Sequence, residues 1–378
     1  MTDLLLPPDL AALPPMDIGA RIHRLRSAMV AHEPVLQALV VSSLTNIRYL
    51  TGFTGSAAVL LITDHDWLFV SDGRYGEQAE QQLRGAGVDC RIEISTYEQK
   101  DLLAGFIVNH GLVAIGFEAD HVTVSQLAGF ASGAFEGVEM LATSGLVEKL
   151  RLVKDAGEIA RLQAAASVAD AALASVRHRL GEGIREADFA LELDFAIRRL
   201  TPSGNSFETI VAAGENGAKP HARPGDRPVQ EGDLVVVDFG SIVDGYCSDM
   251  TRTVMVGEPT PEQARMLAVV LEAQRAGVEA VKAGVEAKAI DAVCRDIIIE
   301  AGWGDAFSHS TGHGVGLDIH EAPRVSKLSD TTVETGFVIT VEPGVYLPGH
   351  GGVRIEDTVV VTDEGCWALN NTSKSTSI

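Results

Sequence analysis

Five residues in the second half of the sequence carry side chains of the kinds that bind divalent metal ions. Four are the carboxylates Asp238, Asp249, Glu342 and Glu356, and the fifth is the imidazole of His313. Their segments read VVVDFG, CSDMTRT, GHGVGLDIHE, TVEPGVY and GGVRIEDTVVV. Such a set can hold two divalent cations, with water as the remaining ligand. Because paired cations generate hydroxide at neutral pH and stabilise a tetrahedral intermediate, the pattern predicts a two-metal hydrolase.

The two aspartates are predicted to approach each other across a β-hairpin. Residues 244–245 read Asp-Gly, a strong signal for a two-residue hairpin turn. A turn there places Asp238 opposite Thr251, and alternation along the strand then puts Asp249 on the same face. The carboxylates become diagonal neighbours at roughly 7–8 Å between backbones. Two like charges aimed together are costly, so a cation between them is expected.

Three histidines, His309, His313 and His320, fall within a short glycine-rich segment. The four-residue spacing of the first two fits one face of a helix, but the intervening glycines argue against a helix there. A lone histidine usually serves as a structural hydrogen-bonding group, whereas three in one such segment favour a site. His221, in KPHARPG, is ambiguous by itself.

The last two carboxylate segments present their residues differently. Glu342 follows an apolar strand and precedes Pro-Gly, a common way to present a ligand or a base at the end of a strand. Arg354 and Glu356 are two residues apart in a strand-like run and are therefore predicted to share a face. That pair is either a surface ion pair or an arginine that orients a metal-bridging glutamate.

Composition narrows the class of protein. The chain has 378 residues, and its 52 acidic against 30 basic side chains give a net charge of −22. That charge repels phosphate backbones, so no nucleic acid partner is expected. No run of 18 apolar residues occurs, so no membrane partner is expected. The N-terminal segment lacks a basic signal-peptide region, and the scattered cysteines form no CxxC pair; both observations predict a cytoplasmic protein.

The pattern of elements predicts two domains with the boundary near residue 150. Up to about 145, apolar strands alternate with amphipathic helices, which is typical of an α/β layer domain. We expect strands at 38–43, 57–62, 67–71, 90–94 and 113–117, and helices at 22–32, 75–84, 98–109 and 123–131. Residues 1–20 are expected to form a loose arm.

A second pattern follows the boundary. Helices are expected at 149–180, 186–200, 261–282 and 287–301, and strands at 208–213, 233–240, 250–257, 336–342 and 352–362. Two helices followed by a strand therefore occur twice, which indicates a weak internal duplication. Glycosidases also pair carboxylates but do not need the histidine segment, and no GxSxG, Walker or Rossmann motif is present. Cys247, close to Asp249, is interpreted as core packing.

The ordered series DFG, SDMTRT, GHGVGLDIHE, VEPGVY and GGVRIEDTVVVT resembles the pita-bread metallopeptidases, which include methionine aminopeptidase, aminopeptidase P and prolidase. NIRYLTGFTGSAAVLLIT and LFVSDGRYGEQA resemble the first domain of bacterial Xaa-Pro peptidases, a domain that methionine aminopeptidases lack. The resemblance implies an α/β (α+β) chain. Residues 1–150 would form a creatinase/prolidase-like N-terminal α/β domain. Residues 151–378 would form a pita-bread domain with a pseudo-twofold helix-helix-strand duplication.

The same resemblance implies a role for each metal-ligating residue. Asp238 matches a bidentate ligand of one metal. Asp249 and Glu356 match the two bridging carboxylates. His313 and Glu342 match the remaining ligands of the second metal. No ligand departs from the family pattern, which argues against its non-catalytic, metal-free members.

Further residues match positions outside the metal ligands. Glu342 would also handle protons for the nucleophilic water. His221 and His320 match histidines that contact substrate and steady the intermediate, and His309 and Arg354 match supporting positions.

The implied function is that of a dinuclear Xaa-Pro aminopeptidase, which removes the first residue from short peptides with proline second. The alternative is Xaa-Pro dipeptidase (prolidase) activity, and a third possibility is a peptide-binding protein without turnover. Oxygen-rich ligation with one imidazole favours Mn²⁺, with Co²⁺, Zn²⁺ or Fe²⁺ as alternatives. A homodimer is expected from the resemblance.

Overall fold

The computed structural model describes residues 9–375 and 377 and divides into two compact units. The first unit spans Pro15–Arg151, and the second begins at Leu152 and includes residues 9–14. Sequence analysis counted those residues with the first domain, as part of a loose arm. Instead, Leu10 and Leu13 pack against a core of the second unit. The arm's residues 1–8 lie outside the described residues.

The first unit is an α/β layer built on one six-stranded mixed sheet. Its strands are β1 Ala38–Val41, β2 Val59–Thr63, β3 Trp67–Ser71, β4 Arg91–Ile94, β5 Ala114–Glu118 and β6 Glu139–Thr143. Its helices are α1 Arg21–Ala31, α2 Leu44–Thr51, α3 Gly76–Gly85, α4 Gln99–His110, α5 Val124–Ala131 and α6 Leu146–Arg151. The strand order is β4-β3-β2-β1-β5-β6. The strands and helices predicted up to residue 131 are confirmed, and α2, β6 and the start of α6 are additional.

The second unit contains four helices and twelve short strands within its described residues. The helices are α7 Ala156–Val176, α8 Glu186–Leu200, α9 Pro261–Ala280 and α10 Ala287–Glu300. The first strands are β7 Ile210–Ala213, β8 Leu234–Phe239, β9 Ile242–Val243, β10 Tyr246–Cys247 and β11 Met250–Met255. The others are β12 Gly312–Gly314, β13 Glu321–Val325, β14 Val338–Val341, β15 Gly344–Leu347, β16 Gly351–Arg354, β17 Asp357–Val361 and β18 Cys366–Ala368.

The predicted duplication is present in this unit. Helices α7 and α8 precede a three-stranded sheet of order β11-β8-β7, and α9 and α10 precede a five-stranded sheet of order β13-β12-β14-β17-β18. Each helix pair packs on its own hydrophobic core, so each half buries an apolar face of its sheet.

The single helix predicted for 149–180 is wrong. The chain leaves α6 at Arg151 and starts a new helix at Ala156. Asp155 caps α7, since its side chain accepts a hydrogen bond from the Glu158 amide while the Glu158 carboxylate accepts one from the Asp155 amide. The amides at the start of a helix have no backbone partner within it. This reciprocal capping box pairs two of them and so fixes the start of α7.

The hairpin that carries the two aspartates has the predicted register. Asp244 and Gly245 adopt positive φ angles of 46° and 82°, as a two-residue turn of this kind requires. Asp238 in β8 lies directly opposite Thr251 in β11. Asp249 stands just before β11. One turn signal therefore sets the position of both carboxylates.

The single strand predicted for 352–362 is divided in two. β16 pairs with β15 and β17 pairs with β14, so the chain passes from one sheet to another at residues 355–356. Glu356 stands in the break, and its amide donates a hydrogen bond to the Thr251 carbonyl at 3.1 Å. The break attaches Glu356 to the hairpin that carries the aspartates.

One stretch within the described residues, Ala156–Glu182, is long and apolar enough to cross a membrane by length and composition alone. Its apolar window is 56% buried inside the fold. This stretch includes α7, whose residues contribute to the hydrophobic core of the first repeat.

We predict that Gly312→Ala destabilises the fold, because a Cβ atom on Gly312 would lie 2.0 Å from the backbone oxygen of Thr340. Neither atom can move without displacing β12 or β14, and overpacking of this kind costs about 1–3 kcal/mol. Chemical denaturation measures the loss. Gly365→Ala is the matched control, since a Cβ there meets nothing within 4 Å. Equal stability of the two variants would contradict the prediction.

Candidate metal centre

The residues that sequence analysis singled out lie around one cavity of about 930 Å³ in the second unit. All nine line it: His221, Asp238, Asp249, His309, His313, His320, Glu342, Arg354 and Glu356. They come from both repeats of the unit, at the ends of strands and in the loops beside them. The fold thus gathers side chains that are far apart in sequence.

A compact group that lines this cavity could hold a metal ion. Asp249, His313 and Glu356 each offer one ligand atom, and these three atoms lie within 4.8 Å of one another. Nε2 of His313 is 3.5 Å from Oδ2 of Asp249 and 3.5 Å from Oε1 of Glu342. The three carboxylates therefore surround one imidazole nitrogen at a spacing that an intervening cation would fill.

His313 is held in the form that can bind a cation. Its Nδ1 lies 3.0 Å from the Gly314 carbonyl oxygen, so Nδ1–H donates there and the lone pair stays on Nε2. Burial lowers the pKa of His313 to about 4. The ring is therefore neutral at physiological pH, and its free nitrogen points to the carboxylates.

The carboxylates repel one another in a buried environment. Burial first, and then the charge of Glu356, raise the pKa of Asp249 and that of Glu342 well above their ordinary values. Burial and the charge of Asp238 raise the pKa of Glu356 to about 8. These shifts show that full ionisation of the group is unfavourable without a compensating positive charge.

Two fully buried carboxylate oxygens in the group have no hydrogen-bond partner among the described residues. They are Oδ1 of Asp238 and Oε1 of Glu356, and both are buried. The second oxygen of each residue is used: Oδ2 of Asp238 accepts from Arg354 at 2.6 Å, and Oε2 of Glu356 accepts from Thr251 at 2.7 Å. Buried polar atoms are nearly always paired, so the two orphaned oxygens fit a divalent cation.

Arg354 is buried and does not form the surface ion pair considered from the sequence. It is 2% exposed and donates to Asp238 rather than to Glu356. Its Nε also donates to Oγ1 of Thr251 at 3.1 Å, and the same hydroxyl donates to Glu356. One guanidinium therefore orients Asp238 directly and Glu356 through Thr251.

Tyr346 is a residue of this network that sequence analysis missed. Its hydroxyl accepts from Nη1 of Arg354 at 2.7 Å and lies 2.8 Å from Nε2 of His309. Since Nδ1 of His309 lies 2.8 Å from the Ser310 carbonyl, the Tyr346 hydroxyl donates to Nε2. The available signal was an aromatic hydroxyl at the end of TVEPGVY, close behind Glu342.

The three cavity histidines other than His313, which are His221, His309 and His320, differ in their surroundings. Burial lowers the pKa of His309 to about 4, and burial also lowers the pKa of His320. The His320 ring meets the His313 ring edge to face at 4.5 Å between centroids. His221 is exposed at the cavity wall and forms no hydrogen bond with a described residue. Burial therefore favours the neutral form of His309 and His320, whereas His221 is accessible from the cavity.

We predict that, in protein stripped of divalent metal, the melting temperature falls as the pH rises from about 5 to about 9. A carboxylate with a raised folded pKa stabilises the fold below its unfolded pKa, and this contribution is lost as the pH passes its folded pKa. Glu356, with a pKa of about 8, sets the upper end of that window. Differential scanning fluorimetry across pH, with chelator and with added Mn²⁺, measures the effect.

A bound cation should reduce the slope of melting temperature against pH, because it pairs with the ionised carboxylates. Glu356→Gln should also reduce the slope in the chelated protein, because it removes the carboxylate that titrates in this range. Identical slopes with and without metal would contradict the interpretation.

Comparison with known proteins agrees with this geometry. The sequence profile of metallopeptidase family M24 matches residues 160–363, and that of the creatinase/prolidase N-terminal domain matches residues 21–153. A Xaa-Pro dipeptidase from Pyrococcus furiosus is 34% identical over 344 residues, covering 90% of this chain and 95% of that protein. These matches span both units.

Solved structures show the same fold. A Xaa-Pro dipeptidase from Bacillus anthracis is 41% identical, with a TM-score of 0.91 over 96% of this chain and 100% of that one. An X-Pro aminopeptidase from Thermotoga maritima is 34% identical, with a TM-score of 0.85 over 91% of this chain and 98% of that one. The expected creatinase-like domain followed by a pita-bread domain is confirmed. The chain is a peptidase and belongs to metallopeptidase family M24.

Proposed function

We propose that this peptidase is a dinuclear metal-dependent Xaa-Pro dipeptidase. The observation that carries the proposal is a buried group of carboxylates and one imidazole in the same cavity as an unpaired guanidinium, that of Arg324. The carboxylate–imidazole group suits hydrolysis of an amide bond. The guanidinium suits a substrate whose C-terminal carboxylate lies one residue beyond that bond. Similarity to the Pyrococcus and Bacillus dipeptidases supports the proposal.

The residues that would hold two cations are Asp238, Asp249, His313, Glu342 and Glu356. Bound there, divalent ions would lower the pKa of water and polarise the scissile carbonyl. Four carboxylates with one imidazole favour Mn²⁺, and Co²⁺, Zn²⁺ and Fe²⁺ are also compatible with these donors. The two orphaned oxygens, Oδ1 of Asp238 and Oε1 of Glu356, support this assignment.

We assign the movement of the proton to Glu342. It lies at the end of β14, lines the cavity, and its Oε1 accepts only a long hydrogen bond from Thr340 at 3.4 Å. It would accept a proton from the attacking water as the oxygen–carbon bond forms. When the carbon–nitrogen bond breaks, the same proton passes to the proline nitrogen, which leaves as a neutral amine.

Proline explains why such a peptidase is specialised. The X–Pro amide has no N–H, and its ring constrains φ, so an enzyme cannot recognise this bond by a backbone donor. Recognition must come from groups around the ring and at the ends of the peptide. His221 and His320 line the cavity and would contact the scissile carbonyl and steady the charge that develops on it.

Arg324 supports dipeptides in particular. It lies in β13 directly opposite His313 in β12, so both side chains project to one face of the sheet. Its guanidinium forms no hydrogen bond or ion pair with a described residue, and its charge helps to lower the pKa of His320. A guanidinium matches a carboxylate in geometry and charge. The C-terminal carboxylate of a dipeptide, one residue beyond the scissile bond, is the group we assign to it.

Xaa-Pro aminopeptidase activity is the second candidate. Similarity to the Thermotoga aminopeptidase supports it, as do the sequence segments described above. The two activities differ in whether the α-carboxylate of the proline must be free. A cytoplasmic location and a homodimer stay predictions from the sequence.

Hydrolysis of an Xaa-Pro dipeptide and an Xaa-Pro-Yaa tripeptide, measured side by side, tests the proposal. We expect no turnover after chelation and restored turnover with Mn²⁺, with a higher kcat/KM on the dipeptide. A higher kcat/KM on the tripeptide would favour the aminopeptidase. Absence of turnover on both, with metal bound, would refute the proposal.

Glu342→Gln is the control for that experiment, because it keeps the side chain's size and removes its basicity. The variant should fold and lose hydrolysis of both peptides by at least about 100-fold. Turnover like that of the unmodified protein would refute the role assigned to Glu342.

Arg324→Gln should raise KM for the dipeptide by about 10-fold or more, since a hydrogen bond to a charged group contributes roughly 1.5–3 kcal/mol. The tripeptide, whose carboxylate lies about 3.5 Å further along the chain, should be affected less. Arg223→Gln is the matched control: Arg223 also lines the cavity, but it pairs with Glu208 at 3.4 Å. Equal effects of Arg324→Gln on the two peptides would contradict the assignment of the carboxylate.

A further inference from the structure

The loop that carries His221 is closed by a single carboxylate. Oε1 of Glu186 accepts from the amide of Ala213 at 2.8 Å, and Oε2 accepts from the amide of Gly225 at 3.0 Å. Nδ2 of Asn216 donates to both oxygens, at 3.1 and 3.0 Å. The two ends of loop 213–225 are therefore joined through one side chain.

Glu186 is rigidly placed. It is fully buried and is the first residue of α8, where the helix dipole favours a negative charge. Its own amide donates to the Arg227 carbonyl at 3.0 Å, and the Ala187 amide donates to the Gly225 carbonyl at 3.0 Å. α8 in turn packs into the core through Phe189 and neighbouring apolar residues. A buried carboxylate is costly unless hydrogen-bonded, and here loop groups supply those bonds.

The loop is also pressed against the strand that carries Arg354. A Cβ atom on Gly352 in β16 would lie 1.9 Å from the Gly217 carbonyl oxygen, so backbone meets backbone. The Pro220 carbonyl accepts from Nη1 of Arg354 at 3.2 Å. The loop is thus fixed by Glu186 on one side and by β16 on the other.

His221 depends on this framework because its ring has no hydrogen bond of its own with a described residue. Its position is set by the backbone between Pro220 and Ala222. His221 is nevertheless near enough to lower the pKa of both His309 and His320 by its charge. Movement of the loop would displace the ring from the cavity and would weaken the Pro220 bond to Arg354. Arg354 would keep its bonds to Asp238, Thr251 and Tyr346, none of which involves the loop.

We infer that Glu186 is a positioning residue for His221 in the hydrolytic reaction, an inference that rests on the proposed function. Glu186 itself does not line the cavity. The metal-ligating residues lie on or beside β8, β11, β12, β14 and β17, outside loop 213–225. Loss of the Glu186 hydrogen bonds should therefore impair turnover and spare metal binding.

The test is a double-mutant cycle of Glu186→Gln and His221→Asn on the better of the two peptide substrates. Glutamine keeps the size of Glu186 but replaces one carboxylate oxygen with an NH₂ group. That group cannot accept a hydrogen bond, so one loop amide, of Ala213 or of Gly225, loses its partner. We expect Glu186→Gln to lower kcat by about 10- to 100-fold, because misplacement by about 1 Å can cost on the order of 100-fold. KM should change little.

If Glu186 acts through His221, the double variant should have the kcat of His221→Asn alone. Metal content per chain, measured by mass spectrometry, should equal that of the unmodified protein in every variant. Multiplicative effects, or loss of metal in Glu186→Gln, would overturn the inference. An unaffected kcat in His221→Asn would instead refute the role given to His221 in the proposed function.

Glu192→Gln is the matched control on the same helix, since Glu192 pairs at 3.1 Å with Arg179 away from the loop. It should leave kcat unchanged. If Glu186→Gln does not fold, Asn216→Ala removes the side-chain bonds to both carboxylate oxygens and keeps the two backbone ones. That variant should lower kcat in the same direction and lose its effect in the His221→Asn background. An Asn216→Ala effect that persists there would overturn the inference.

Discussion

The repulsion among four carboxylates that share one cavity is the constraint on which the arrangement of this site depends. Asp238, Asp249, Glu342 and Glu356 face one another in a cavity, and burial with mutual charge raises the pKa of three of them. Such a group persists only where the fold holds it in place and supplies positive charge or donors. Arg354 supplies one charge, and the orphaned oxygens mark where further positive charge belongs.

The backbone around the site positions these carboxylates as much as the neighbouring side chains do. The hairpin turn places Asp238 and Asp249, and the break between β16 and β17 ties Glu356 to the same hairpin through Thr251. His313 is kept neutral by burial and oriented by a carbonyl. The geometry therefore arises from strand ends and turns in sheets that pack on the two hydrophobic cores of this unit.

Local signals in the sequence predicted the parts of this arrangement that depend on neighbouring residues. Asp244-Gly245 was enough to give the register that sets Asp238 opposite Thr251. Features that depend on distant residues were not predicted. The break at 355–356 follows from pairing with two different sheets, which no local signal in residues 352–362 marks. Tyr346 and Glu186 were missed for a similar reason, since a tyrosine in a strand and a glutamate starting a helix are ordinary. Only their distant partners make them distinctive.

The distribution of the ligand set over both repeats has a consequence for folding. Arg354 and Asp238 are separated by 116 residues along the chain, and the aspartates come from the first repeat while His313 and the glutamates come from the second. Neither half alone presents a complete set. An ion held by this set would bind the assembled fold and not its parts, so its binding free energy would add to global stability as a long-range crosslink does. Availability of metal would then govern the lifetime of the folded chain as well as its chemistry.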